Sequence, residues 1–269
     1  MNHRLLILAL LVAAACNQAP SSEEQDTPVA TQEVESKVQH QTIEFQTQDE
    51  VKVFGDLYTV DSQALTLLLF HQAGTNGRGE YQPIIPRLLD WGYNVLSIDQ
   101  RVGGQLFGQA NRTAMNIPGA SEFEYCEAYP DLVGALAFIQ HRGFTGPLVA
   151  WGSSYSAALS IRLGVEHAAD LAGVVAFSPA SGSAMEGCKP EPYIEQIEIP
   201  LMVFRPGSEA AAETVKEQLA LVKTEGHQSY VAPDGVHGSS MLVQERAKSN
   251  VTATWKALRQ FLQAREAEM

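Results

Sequence analysis

Positive charge is scarce in this chain: 18 Lys and Arg face 31 Asp and Glu, for a formal net charge of -13. A nucleic-acid partner is thereby excluded, because phosphate neutralisation needs a basic face. An anionic membrane surface would also repel the domain, so membrane contact would have to come through an anchor. Cysteine is limited to three residues. No Cys/His cluster has ligand spacing and no H-E-x-x-H is present, so nothing calls for a metal or another cofactor. The extended apolar run at 5–15 is too short to span a bilayer. Internal repeats are absent, and no domain linker follows residue 42. What remains is 269 residues that are 45% hydrophobic, enough for one large domain with a substantial core.

The first residues read as an export signal at 1–15. His3 and Arg4 supply the positive start, the apolar run follows, and small residues lead into Cys16. The stretch Val12-Ala13-Ala14-Ala15-Cys16 resembles a bacterial lipoprotein box, with Ala13 where Leu is usual. The resemblance implies that Cys16 becomes an acylated N-terminus holding the protein on a membrane. An ordinary signal peptide with a chance Cys is the alternative. Asn17 does not look like an inner-membrane retention signal, which favours the periplasmic face of a bacterial outer membrane, or else secretion. Residues 16–40 are rich in Gln, Ser, Glu, Thr and Pro and read as a flexible tether. With Cys16 used by lipid, Cys126 and Cys188 remain as a pair in an oxidising compartment. They read as a disulfide closing a loop of about 60 residues, or as two free thiols.

The domain at 41–269 alternates strands and helices. Apolar or alternating runs place strands at 42–47, 51–60, 65–70, 93–98, 148–151, 171–177, 201–204 and 228–231. Helical spacing falls at 81–91, 130–141, 155–165, 209–223 and 244–264. The first two strands read as an antiparallel pair. Two long loops, 99–125 and 178–199, exceed what a connection needs. The pattern predicts an α/β fold: a mostly parallel sheet of about eight strands with helices on both faces. Ligands of such sheets bind at the carboxyl ends of strands.

Four segments stand at those ends. Gly152-Ser153-Ser154-Tyr155-Ser156 lies between a strand and a helix and matches G-x-S-x-G, with Ser156 in place of the second Gly. His71-Gln72-Ala73-Gly74 follows the strand at 65–70. Asp234-Gly235-Val236-His237-Gly238 precedes the last helix. Asp99-Gln100-Arg101-Val102-Gly103 follows the strand at 93–98. In order and placement these resemble the α/β-hydrolase family, in its dienelactone-hydrolase-like and small-esterase branch. True dienelactone hydrolases have Cys where Ser154 stands here.

The resemblance implies a set of roles. Ser154 is the nucleophile and His237 its base. Glu209, after the strand at 201–204, is the acid; Asp234 and a plain helix-terminal role for Glu209 are the alternatives. The N–H groups of Ala73 and Tyr155 form the oxyanion hole. His71, Asp99 and Arg101 are structural, Ser153 points away from the elbow tip, and Arg205 pairs with a nearby carboxylate. Phe107, Phe123, Tyr125, Met185 and Tyr193 either line a pocket or pack under the loops. The expected activity is hydrolysis of small or medium carboxylic esters through an acyl-serine, without cofactor. An amidase or peptidase, or a non-catalytic envelope binding lipoprotein, are the competing readings. Nothing in the sequence sets an oligomeric state.

Overall fold

Five runs with no polar alternation make the middle of one sheet, where both faces are covered. The strands are β1 (Gln39–Gln46), β2 (Lys52–Thr59), β3 (Thr66–Phe70), β4 (Asn94–Asp99), β5 (Leu148–Ser153), β6 (Gly173–Phe177), β7 (Leu201–Pro206) and β8 (Gln228–Ala232). This is a computed structural model, and it describes residues 38–267. The signal at 1–15, Cys16 and the tether up to residue 37 lie outside the described residues. The first strand starts at Gln39, two residues before the boundary the sequence marked at 41.

The eight strands order as β1-β2-β4-β3-β5-β6-β7-β8. β2 runs antiparallel to both neighbours, and every other adjacent pair is parallel. β3 to β7 are buried along their whole lengths, whereas the edge strands β1 and β8 are mostly exposed. Successive side chains point to opposite faces. Leu68, Phe70, Ala150 and Val174 therefore pack on Leu132, Leu136 and Leu159 of the helices Tyr129–His141 and Tyr155–Glu166. Leu67, Leu69, Trp151 and Val175 pack on the other side against Leu88, Leu258 and Phe261. Each such Leu, Val or Phe side chain, buried fully, contributes about 1.5–3 kcal/mol.

Three expected helices are interrupted. The segment 81–91 becomes Gly77–Tyr81 and Ile85–Asp90. Pro83 cannot continue the first helix, and Pro86 fits the first turn of the second. The segment 209–223 divides into Gly207–Ala210 and Glu213–Thr224 at the extended backbone of Ala212. The last segment divides into Gln244–Ala247 and Thr252–Glu266. Left-handed Lys248 ends the former, and the Asn250 side chain accepts the Thr252 N–H ahead of the latter.

Candidate active site

The turn between β5 and the helix Tyr155–Glu166 forces Ser154 to φ 62° and ψ -119°. Such backbone strain in a non-glycine residue costs on the order of 1–3 kcal/mol and persists only where its surroundings enforce it. Here the Ser154 N–H donates to the Phe177 carbonyl at 2.8 Å, and its own carbonyl accepts the Ala180 N–H at 3.1 Å. Strand and helix approach so closely that a Cβ on Gly152 would meet the Ser156 carbonyl at 2.3 Å. Ser156, the departure from G-x-S-x-G, has a structural use. Its buried hydroxyl accepts the Ser153 N–H at 2.9 Å and lies 2.7 Å from the Phe70 carbonyl, to which it donates. Ser153 is fully buried, and Ser154 is partly exposed at the bend.

His237 follows β8 in a loop. Its Nδ1 lies 2.6 Å from Glu209 Oε1. The other carboxylate oxygen, Oε2, accepts a hydrogen bond from Arg205 Nη1 at 2.8 Å. Burial would raise the Glu209 pKa, but the hydrogen bonds from His237 and Arg205 and their charges outweigh it and hold the carboxyl below its usual range. An ionised carboxylate can only accept, so Nδ1 carries a proton, and in the neutral imidazole Nε2 is then left with a lone pair. Arg205 is buried, and its Nη2 also donates to the Pro179 carbonyl and to Gln218 Oε1. Asp234 is exposed and its backbone carbonyl binds Ser249, so the carboxylate on His237 is that of Glu209.

No hydrogen bond joins the Ser154 hydroxyl to the His237 ring, but their flanking residues touch. Ser239 N–H donates to Ser153 Oγ at 2.9 Å, and Gly238 N–H donates to Ser178 Oγ at 3.1 Å. Gly238, at φ 68°, fits because it lacks a side chain: a Cβ there would lie 2.4 Å from Ser153 Oγ.

The loop after β3 is pinned by its neighbours. The His71 N–H donates to Gln100 Oε1 at 2.8 Å, and the Gln72 N–H to Glu80 Oε2 at 2.6 Å. Among the described residues, the N–H groups of Ala73 and Tyr155 have no acceptor. His71 is fully buried. Its Nδ1 donates to the Gln72 carbonyl, and its Nε2 accepts the Gln100 N–H at 3.0 Å. That bonding uses both nitrogens, and burial pushes the pKa down, so the ring is a structural element. Asp99 binds the Gly77 N–H and Arg112, while Arg101 is held between Asp131 and Asp49.

A cleft of about 610 Å³ opens beside this loop, walled by Ala73, Val102, Gly103, Phe123, Tyr125 and Ser183 among others. Tyr125 stacks on Tyr155 with ring centroids 4.9 Å apart. The Cys126–Cys188 disulfide ties the two long loops that form its walls, with Cα atoms 5.7 Å apart. Of the five apolar candidates, Phe123 and Tyr125 line this cleft. Met185 is buried in the core, Tyr193 packs against it, and Phe107 lies under Arg246. A second cleft of about 660 Å³, beside Phe45, Phe138 and His167, shares none of these residues. Among the described residues, no cluster of His, Cys, Asp and Glu could hold a metal ion. The pattern reading missed Glu80, which stands next to a run of apolar helical positions and carries no motif of its own.

No protein-family model matches the sequence, and no curated protein is significantly similar to it. Solved structures do resemble the fold. An esterase of Pyrococcus furiosus superposes with a TM-score of 0.66 at 18% identity, covering 85% of this chain and 92% of its own. A dienelactone hydrolase of Anabaena variabilis gives 0.61 at 14% identity, covering 84% of this chain and 98% of its own. An acylaminoacyl peptidase of Pyrococcus horikoshii gives 0.62 at 12% identity, covering 85% of this chain and 42% of its own. Likeness at such identities is one of architecture: the chain has the α/β-hydrolase fold, and fold alone does not fix an activity.

Proposed function

We propose that the chain is a serine hydrolase that cleaves small or medium carboxylic esters through an acyl-Ser154 intermediate. His237 Nε2 takes the Ser154 proton as Oγ attacks the ester carbonyl. The N–H groups of Ala73 and Tyr155 receive the resulting oxyanion; losing one such donor typically costs about 3 kcal/mol of barrier. The tetrahedral intermediate collapses, and the leaving alkoxide departs with the proton from His237. A water, deprotonated by His237, then attacks the acyl carbonyl and releases the acid and Ser154. Glu209 holds the imidazole tautomer and offsets its transient positive charge.

The observation that carries this reading is the 2.6 Å His237–Glu209 contact on a loop packed against Ser153, next to a serine held in a strained bend. A cleft of about 610 Å³ beside Ala73 is of ordinary ligand-pocket size. The esterase and dienelactone hydrolase of similar architecture support hydrolysis of esters. A fluorophosphonate probe tests the proposal by phosphonylating the active serine with loss of fluoride. Wild type is labelled at Ser154, Ser154→Ala is not, and His237→Ala is labelled far more slowly. An unlabelled wild type refutes the reading and leaves a non-catalytic envelope lipoprotein.

Amide cleavage is the second reading, favoured by the acylaminoacyl peptidase of similar fold. Matched ester and anilide substrates separate the two. Anchoring through Cys16 to the periplasmic face of a bacterial outer membrane belongs to the same proposal, with the Cys126–Cys188 disulfide as support for an oxidising compartment. Metabolic labelling with a fatty acid that disappears in Cys16→Ala is the expected result.

A further inference from the structure

We propose that Glu80 is a positioning residue whose buried carboxylate clamps the oxyanion loop, the serine bend and the histidine loop in mutual register. The inference rests on the serine-hydrolase reading above. Glu80 lies in the short helix Gly77–Tyr81 and is fully buried. Its Oε2 accepts the N–H of Gln72, the residue before Ala73, at 2.6 Å. Its Oε1 accepts the hydroxyl hydrogen of Ser153, the residue before Ser154, at 2.6 Å. That hydroxyl oxygen in turn accepts the N–H of Ser239, two residues after His237, at 2.9 Å. Each proposed functional group is thus one or two residues from a bond in a single network.

The helix is itself fixed. Arg246 donates to the carbonyls of Gly79 and Glu80 at 2.7 and 2.9 Å, and the Asn76 side chain accepts the Gly79 N–H at 2.8 Å. A leucine could fill the space, but it could not accept the two donors, and leaving buried donors unpaired is costly. An amide is no substitute either. Gln can accept the Gln72 N–H with its oxygen, but its NH2 then donates to Ser153 Oγ, whose hydroxyl hydrogen loses its acceptor. Two hydrogens arriving from two segments call for an ionised carboxylate.

The ionisable groups facing Glu80 are Arg246 and His237; the Arg246 charge favours its ionised form, as does His237 when it carries a second proton. Tyr81 and Tyr155 pack nearby, but their hydroxyls bind the Phe70 and Val102 carbonyls. Burial outweighs the hydrogen bonds and nearby cations and pushes the Glu80 pKa up to about 7. Protonation of Oε1 makes it a donor towards Ser153 Oγ, so the Ser153 hydroxyl must turn away and give up its bond to the carboxylate, and the clamp loosens as pH falls through neutrality.

The test is hydrolysis of a p-nitrophenyl ester from about pH 5 to about pH 9 by wild type, E80Q, S153A and S154A. E80Q and S153A should keep KM within about threefold and lose kcat roughly 10- to 100-fold, the scale of a small misplacement of reacting groups. The acid limb of kcat/KM should be steeper than a one-proton limb in wild type and fall to one proton in E80Q. Wild-type kcat in either variant, or an acid limb in E80Q as steep as in wild type, overturns the proposal. If E80Q does not fold, the kcat of S153A decides. Activity in S154A equal to wild type overturns the serine-hydrolase reading instead, a result distinct from any Glu80 outcome.

Discussion

Replacing Glu209 with Gln should damage this protein twice, because one carboxylate serves two partners. Oε1 holds His237 and Oε2 holds Arg205. An amide in place of the carboxylate no longer fixes the imidazole tautomer or offsets its charge, and comparable triad changes lower kcat by about 10⁴-fold. That corresponds to about 5 kcal/mol of barrier. The second effect is on folding. The Arg205 side chain is only 6% exposed, so the guanidinium would lose its one carboxylate contact in a buried setting. Breaking such a pair from one side costs about 3–5 kcal/mol; because Gln can still offer an amide oxygen, the lower end is expected. Removing both partners in R205M/E209Q deletes the uncompensated charge. It leaves only the Pro179 carbonyl and Gln218 Oε1 unpaired, so part of the stability returns while kcat stays low. Urea unfolding and ester hydrolysis measure the two effects separately. Because the Glu209 pKa is depressed on folding, its contribution is present above the usual Glu pKa and lost as pH falls through the lowered one. The stability deficit of E209Q should therefore close in acid. An E209Q protein with kcat within tenfold of wild type, or a double variant no more stable than E209Q, would refute this account.

Glu80 should give the opposite pH trend. Burial raises its pKa from 4.5 to about 7 because the ionised carboxylate is costly to the fold as a whole. Global stability is therefore highest below the unfolded value and declines as pH rises through about 7, even though that same ionisation completes the two bonds that register the loops. The difference is roughly 3 kcal/mol, and urea titrations at mildly acidic and alkaline pH should show a flatter dependence in E80Q. Asp131, raised to about 6 by burial against the pull of Arg101, adds a slope of the same sign that E80Q leaves in place. Removing the disulfide by C126S/C188S frees a loop of 62 residues, worth about 4 kcal/mol on the chain-entropy estimate. Unchanged unfolding free energy would contradict that. The cleft beside Ala73 has Glu124 and Glu186 on its walls and no Lys or Arg among them. Monoesters of dicarboxylic acids, which keep a free carboxylate, should react at least tenfold more slowly in kcat/KM than neutral esters of equal length, an effect that added salt reduces. Equal rates would show that the acyl group lies elsewhere.

The strands and the serine bend were legible because their causes are local. The 65–70 run is apolar but for Thr66 and the 148–151 run is apolar throughout, and small residues around Ser154 permit a sharp exit from β5. The prolines that break the 77–90 region were visible too, but the apolar spacing through 81–91 masked them. Asp234 and Glu209 could both be assigned to His237 from sequence. One is three residues away and the other twenty-eight, and spacing does not say which carboxylate faces the ring.

By itself, the sequence determined which segments form strands and where a nucleophile could stand, since each depends on side chains within a few positions, whereas the order of the strands in the sheet was set by packing. Tertiary structure alone decided that Glu80, 73 residues from Ser153 in the chain, would bridge two loops, and that Arg205 would share Glu209 with His237. The physical reason is range. Hydrophobic patterning tolerates shifts of an ångström, whereas a hydrogen bond requires its donor and acceptor within about 3 Å and correctly aimed, a condition set only once the distant segments have packed.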